Sequence, residues 1–102
     1  MVTVEINVTK KDIGNGVCSA PGNCPVALAA IRTGFDQVAV LGDCMDFQSD
    51  ENYYAIGLPL VAKKFIYAFD EQQPVKPFKF RIKLKNSVAK QLKLRKSAIV
   101  SA

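Results

Sequence analysis

The sequence predicts an α+β protein, a small layered sandwich in which a mixed sheet of four to five strands carries two helices on one face. Two observations lead to this class: apolar and polar residues alternate in several short segments, and two other segments have the spacing of buried helices. The order β-α-β-(β)-β-α-β places two strand-helix-strand units in succession, so a ferredoxin-like βαββαβ arrangement is the leading topology. A chain of 102 residues, 49% of them hydrophobic, suffices for one domain with its own core.

The first predicted strand covers residues 2–9, where apolar and polar side chains alternate with the period of a half-buried strand. A single helical turn is expected next, because the Thr9 hydroxyl can accept hydrogen bonds from the first free amides and Asp12 follows three residues later. Gly14 and Gly16 are expected to end the helix after about one turn. Residues 14–23, rich in glycine, asparagine, serine and alanine, are predicted to form a loop.

The second helix is predicted to begin at Cys24-Pro25, since proline fits the first helical position, where its missing amide hydrogen has no intrahelical partner. Gly34 is expected to end this helix in a left-handed conformation, which glycine adopts without strain. Nearly every residue in the range 26–31 is apolar, which indicates that the helix is covered on most sides.

Three strands separate this helix from the next. Residues 37–41 and 44–48 are predicted to pair as a hairpin, and residues 53–58 form a further strand after a polar turn at residues 49–52. Pro59 then opens the clearest amphipathic helix, whose apolar residues recur at spacings of three and four: Leu58, Val61, Ala62, Phe65, Ile66 and Phe69.

The last predicted strand covers residues 78–85, where apolar residues alternate with four cations: Lys79, Arg81, Lys83 and Lys85. Residues 88–100 are then expected to form a basic helix or a tail. The predicted organisation is therefore one α+β domain, residues 1–85, followed by a basic C-terminal helix or tail, residues 86–102.

Charge is divided sharply between two parts of the chain. Residues 1–75 contain nine acidic and five basic residues, whereas residues 76–102 contain nine basic residues and no acidic residue. Such a basic segment is the electrostatic signature of a protein that binds nucleic acid, nucleoprotein, an acidic protein face or an anionic membrane, and the segment can also dock on the acidic body of the same chain. A membrane surface is disfavoured, because residues 88–100 lack aromatic residues and a clean apolar face. The candidate anion-binding residues are Lys79, Arg81, Lys83, Lys85, Lys90, Lys93, Arg95 and Lys96.

These cations have two interpretations. They can neutralise the phosphates of a nucleic acid without reading its bases, since the aromatic residues of the strand face the core. They can equally form a solvated strand face that protects an edge from aggregation. From the first interpretation we expect a small non-enzymatic binding protein whose partner is nucleic acid or an acidic host protein.

The cysteines offer a different function. Cys24 precedes a helix, where free amides favour a thiolate, and Cys18 lies on the predicted loop, so the two are a candidate thiol-redox or metal-dependent site. The alternative, favoured by the usual burial of cysteine, is that both pack as small apolar groups. Three cysteines without any histidine do not match the four-ligand pattern of structural zinc, and the sequence predicts no metal and no cofactor.

A third interpretation uses the acidic body of the protein, through which it would inhibit a host protein complex. Four acidic residues lie near predicted turns and offer a local negative patch: Asp43, Asp46, Asp50 and Glu51. They can also be turn formers that contribute solubility. Catalysis is not favoured, because a chain without histidine lacks Ser-His and Cys-His pairs, and the sequence shows no positioned nucleophile and base.

The sequence also bears on cellular location. The first residues alternate between apolar and polar instead of forming the charged start and apolar run of a signal peptide. No apolar stretch approaches the roughly 18 to 20 residues that cross a bilayer. We therefore expect a cytoplasmic protein with reduced thiols and without a membrane partner.

Several motifs resemble those of a group of short uncharacterised proteins encoded by bacteriophages and bacteria. The resemblance rests on the Cys-Pro-Val-Ala-Leu-Ala helix start at residues 24–29, on Phe-Ile-Tyr-Ala-Phe-Asp at residues 65–70 and on Pro-Val-Lys-Pro-Phe at residues 74–78, and it extends over most of residues 3–84. It implies no particular activity. It does imply a phage accessory or host-interaction factor that acts in the host cytoplasm.

Overall fold

The computed structural model describes residues 1–101, which form six strands, four α-helices and one 3-10 helix. This composition confirms the predicted α+β class. The elements, in chain order, are β1 Val2–Val8, α1 Lys10–Asn15, α2 Pro25–Thr33, β2 Asp36–Val40, β3 Cys44–Ser49, β4 Asn52–Gly57, α3 Leu60–Asp70, β5 Phe78–Leu84, α4 Asn86–Gln91, the 3-10 helix Lys96–Ala98 and β6 Ile99–Ser101.

The strands form two antiparallel sheets of three strands each, in the orders β5-β1-β6 and β2-β3-β4. The single mixed sheet of four to five strands and its ferredoxin-like order are therefore not confirmed. In a ferredoxin-like sheet, β1 would pair on one edge with a strand of the hairpin that lies between the two helices. In the structure, β1 pairs with β5 on one edge and with β6 on the other. A strand of three residues is too short to show the alternation by which longer strands are predicted.

The β5-β1-β6 sheet is built on a long pairing between its first two strands. β1 and β5 are in register from Val2 opposite Leu84 to Val8 opposite Phe78. The apolar side chains of both strands face inward, where α2 packs against β1. Because successive side chains point to opposite faces of a strand, the polar residues of β1 and β5 share the outer face of this sheet.

The β2-β3-β4 sheet has β3 at its centre, and the Met45 and Phe47 side chains of that strand are fully buried. Phe47 meets Phe35 edge-on, with 5.0 Å between ring centroids, and stacks on Tyr54 at 5.7 Å. The buried residues of both sheets belong to one apolar cluster. The two sheets therefore share a core although they share no strand.

Local sequence explains where the first two helices begin and end. Thr9 and Asp12 form a complete capping box at the start of α1. Cys24 caps α2, which has a proline at its first position, and Gly34 follows the helix with a φ of +121°. A side chain at residue 34 would be strained by that angle, and its Cβ would collide with the backbone of Lys93.

Helix α3 packs through Ala62, Phe65 and Ile66, and Phe65 contacts Phe78 of β5 with 4.6 Å between ring centroids. Val61, which the spacing predicts to lie on the same face, is instead 49% exposed. The buried face of α3 is therefore centred on Ala62, Phe65 and Ile66, and residue 61 lies outside it. No helix within residues 1–101 is long and apolar enough to span a bilayer.

The segment after residue 85 folds onto the rest of the chain. Helix α4 is short, and β6 follows it on the edge of β1. The N–H of Arg95 donates to the carbonyl of Thr33 at 2.9 Å, and the Ser49 hydroxyl donates to the carbonyl of Val88 at 3.2 Å. The buried side chains of this segment are those of Val88, Ala89, Leu92 and Ala98.

Candidate anion-binding surface

The outer face of β5 holds three of the candidate cations side by side. Lys79, Arg81 and Lys83 are exposed and alternate with buried residues, so that neighbouring cations are separated by about 7 Å along the strand. The residues of β1 opposite them lie on the same outer face: Asn7, Glu5 and Thr3. We call these six residues the basic face.

One carboxylate lies among these cations. Glu5 accepts a hydrogen bond from the Nε of Arg81 at 3.1 Å, and its other oxygen lies 3.9 Å from the Nζ of Lys79. Both cations remain more than half exposed in this arrangement, whereas the Glu5 side chain is only 17% exposed. Lys83 has no carboxylate partner among the described residues. The basic face therefore keeps an excess of positive charge.

A further arginine lies at the edge of the basic face. Arg32, in the last turn of α2, donates from its Nη2 to the carbonyl of Asn7 at 2.7 Å and to the Oδ2 of Asp12 at 2.9 Å, while its Nη1 pairs with the other carboxylate oxygen of Asp12. Burial by itself raises the pKa of Asp12, but hydrogen bonds from Arg32 and Thr9 outweigh burial and hold the pKa below its ordinary value. The same pairing raises the pKa of Arg32.

Arg32 and Arg95 line a common cavity of about 140 Å³, together with Asn7, Thr33 and Ser97. Arg95 forms no ion pair with any residue in the range 1–101. The structure thus places Arg95 beside the Asn7 end of the basic face, together with an arginine that the sequence analysis missed. A lone arginine near the end of a helix carries no sequence signal for such a role, because basic residues are common there.

The remaining candidate cations lie outside β5, and of these only Lys85 lines a cavity together with a residue of the basic face, Lys83. Lys85 follows β5 and caps α4 through its backbone, while Lys90 lies on α4 beside Val2 and Ile99. Lys93 lines a different cavity with two acidic residues, Asp36 and Asp50. Lys96 begins the 3-10 helix and is exposed. The eight candidates therefore do not form one continuous row.

The thiol of Cys24 is used to cap helix α2. Its Sγ accepts a hydrogen bond from the N–H of Ala27 at 3.4 Å, and the residue is buried. Burial raises the pKa of the Cys24 thiol, and the nearby charge of Asp70 raises it further, although backbone N–H groups act in the opposite direction. This environment opposes the thiolate that the redox interpretation needs.

Cys18 has a separate partner. Its Sγ donates to the carbonyl of Phe69 at 3.2 Å, and the N–H of Ser19 donates to the carboxylate of Asp70 at 3.0 Å. Cys18, Cys24 and Cys44 are all free thiols. Across residues 1–101 no three cysteine, aspartate or glutamate side chains are grouped closely enough to hold a metal ion.

The acidic residues near the turns occupy both ends of the second sheet. Asp43 precedes β3, whereas Asp50 and Glu51 form the turn that follows it. The six residues of β3 separate these ends by about 20 Å at the usual rise of a strand. Asp46 lies in the middle of β3 and is half-buried. The four carboxylates are therefore spread along a strand and do not form one compact patch.

Comparison of the chain with protein-family models, with curated proteins and with solved structures found no match.

Proposed function

We propose that the protein is a non-enzymatic binding protein whose basic face contacts the phosphate backbone of a nucleic acid. The observation that carries this proposal is the row of three exposed cations on one strand, with a single carboxylate among them. Arg95 extends the positive surface beyond β1. The resemblance of residues 3–84 to short phage and bacterial proteins adds an accessory role in the host cytoplasm to the proposal.

Binding through this face is expected to be largely independent of sequence. Lysine and arginine side chains on a strand position a phosphate backbone but do not by themselves read base edges. The basic face contains no aromatic residue on which bases can stack, since Phe78 and Phe80 of β5 point toward the core. The partner chemistry is therefore a chain of phosphates and not a particular base sequence.

The size of the effect follows from the number of phosphates contacted. If Lys79, Arg81 and Lys83 each neutralise one phosphate, the logarithm of the association constant falls with the logarithm of salt concentration with a slope of about −2.7. Raising the salt from 50 to 200 mM then weakens binding about 40-fold. Measurement of fluorescence anisotropy with a labelled random 20-base-pair duplex over this range gives the slope directly.

Paired variants separate the basic face from net charge. Arg81→Gln with Lys83→Gln removes two charges from the face, whereas Lys63→Gln with Lys64→Gln removes two exposed charges from α3. We expect the first pair to reduce the steepness of the salt dependence by about 2 and the second to leave it almost unchanged. Equal effects of both pairs, or no binding of the intact chain at 50 mM salt, would contradict the proposal. Stronger competition by polyglutamate than by duplex would identify an acidic protein as the partner.

A further inference from the structure

The outer edge of β4 is a free strand edge. β4 pairs with β3 on one side, and no other strand within residues 1–101 pairs with it. An unpaired edge presents a row of backbone N–H and C=O groups that can hydrogen-bond to another extended chain. β4 therefore has the backbone geometry of a docking strand.

The register shows which backbone groups point outward. The N–H of Leu58 bonds to the carbonyl of Asp43 at 2.9 Å, which makes these two residues a hydrogen-bonded pair of the β3-β4 ladder. Since hydrogen-bonded and non-hydrogen-bonded pairs alternate along an antiparallel ladder, the N–H and C=O groups of Tyr53, Ala55 and Gly57 point away from β3. Three residues of β4 thus offer free donors and acceptors.

The edge of β4 lacks the features that usually block such pairing. Its six residues, Asn52–Gly57, include no charged residue and no proline, and Tyr53 is 73% exposed. The edge strand of the other sheet, β5, carries a cation at every second position, which is a common protection against edge-to-edge association. Of these two edges, only that of β4 is left open.

A groove lies beside this open edge. It has a volume of about 360 Å³ and is lined by the run Tyr54–Gly57 of β4, by apolar side chains that include Phe47 and Leu84, and by Lys83 and Lys85. The lining includes no acidic residue, and neither lysine has a carboxylate partner in the described part of the chain. The groove is apolar at its floor and positive at its rim.

We propose that an extended acidic peptide segment of a partner protein docks on the edge of β4 as a fourth strand of the β2-β3-β4 sheet. Its backbone would bond to Tyr53, Ala55 and Gly57, apolar side chains would enter the groove, and its carboxylates would pair with Lys83 and Lys85. A second copy of this chain fits less well, because it would bring its own lysines to the same groove. A segment of about six residues, some 20 Å long, covers the edge.

Ala55 allows a sharp test, because its N–H points outward and is not used in the β3-β4 ladder. Ala55→Pro removes that donor and blocks the approach of a strand, while edge strands tolerate proline. Ala55→Val keeps the donor and serves as the matched control. The probe is a fluorescein-labelled eight-residue peptide of alternating valine and glutamate, and its binding is followed by fluorescence anisotropy.

We expect saturable binding of this peptide, at least tenfold weaker binding to the proline variant and less than a twofold change in the valine variant. Circular dichroism of both variants checks that the fold is retained, and duplex binding by Ala55→Pro is expected to be unchanged, which separates this proposal from the nucleic-acid function. Failure of the peptide to bind at millimolar concentration, or equal binding by folded proline and valine variants, overturns the proposal. The proposal is also overturned if sedimentation shows that the parent protein is a dimer and that Ala55→Pro is a monomer, because the occupant of the edge is then a second copy of the chain.

The lysines supply an independent check that does not alter β4. In the Lys83→Glu, Lys85→Glu double variant we expect the glutamate peptide to lose at least tenfold in affinity and a peptide of alternating valine and lysine to gain. An unchanged order of preference between the two peptides would show that charge does not select the occupant, and the acidic-peptide proposal would fail.

Discussion

The β5-β1-β6 and β2-β3-β4 sheets bury their inner faces in one apolar core but differ in what they present to solvent. The first sheet has an edge strand with a cation at every second position, whereas the edge strand β4 of the second sheet carries no charge. Positive charge on a strand favours binding of a polyanion and discourages pairing with another strand. An uncharged edge has no such attraction for a polyanion and leaves pairing with another strand open. The two proposals therefore concern surfaces of opposite character, one strongly charged and one uncharged.

The largest expected effect tests whether the two sheets are one folding unit. Phe47 is fully buried in β3, and Phe47→Ala should lower the free energy of unfolding by about 3–5 kcal/mol. Ile6→Ala in β1 should cost a similar amount, about 2–5 kcal/mol. Because both residues belong to one core, we expect a single transition in urea for each variant, seen alike by circular dichroism and tyrosine fluorescence. Two separate transitions would show that the sheets are independent units.

The second-largest effect is expected at Gly34, where the backbone of the C-terminal segment packs against the turn between α2 and β2. Gly34→Ala places a side chain at a positive φ and drives a Cβ into the backbone of Lys93. We expect a loss of about 3 kcal/mol in the free energy of unfolding, measured by urea titration. Gly57→Ala on β4 is the control, since its Cβ meets open space, and it should change stability by less than about 1 kcal/mol. Equal losses would show that the close approach at residue 34 is unimportant.

A smaller effect links α1 to the edge of the basic face. Asp12→Asn removes the charge that pairs with Arg32 and weakens the capping box with Thr9, which we expect to cost about 2 kcal/mol. Because the pKa of Asp12 is lowered by folding, the carboxylate contributes stability above its unfolded pKa, and this contribution is lost as the pH falls through the folded pKa. Thermal unfolding from pH 7 down to pH 2 should therefore show a smaller loss of stability below about pH 4 in the variant than in the parent. If the stability of the parent and that of the variant fell in parallel with pH, the pH dependence could not be assigned to Asp12.

The smallest effect on stability sharpens the electrostatic side of the comparison. Glu5→Gln releases Lys79 and Arg81 from their carboxylate partner, and the loss of such exposed pairs should change stability by less than about 1 kcal/mol. The same change should strengthen binding to a random duplex about three- to fivefold at low salt, because about one unit of opposing charge leaves the face. Asp36→Asn, on β2 of the other sheet and in a cavity that no residue of the basic face lines, is the control. Weaker duplex binding by the Glu5 variant would argue against the face as the contact surface.

Much of the local structure could be predicted because it depends on neighbouring residues. The alternation in β1 and β5 predicted both strands, and the pairs Thr9 with Asp12 and Cys24 with Pro25 predicted two helix starts. Capping and alternation act over a few residues, so the sequence shows them directly. The same locality explains why β6 was missed, since three residues at the end of a basic segment carry no pattern of their own.

The candidate site was less accessible to prediction. The grouping of Lys79, Arg81 and Lys83 follows from one strand, but the position of Glu5 between two of them follows from the β1-β5 register. Arg32 reaches the same surface through the packing of α2, and Lys93 is directed to a different cavity by the course of the chain after α4. Such neighbours are set by contacts between residues distant in sequence, which no local window contains.

The sequence by itself determined the α+β class, the inward and outward faces of the long strands, and the concentration of positive charge after residue 75. These properties depend on side-chain periodicity and composition, which are written along the chain. Only the tertiary structure decided that the strands divide into two sheets, that one acid lies among the cations of β5, and that the edge of β4 stays open. Those outcomes depend on which strand edges meet, and edge pairing is settled by the packing of the whole core.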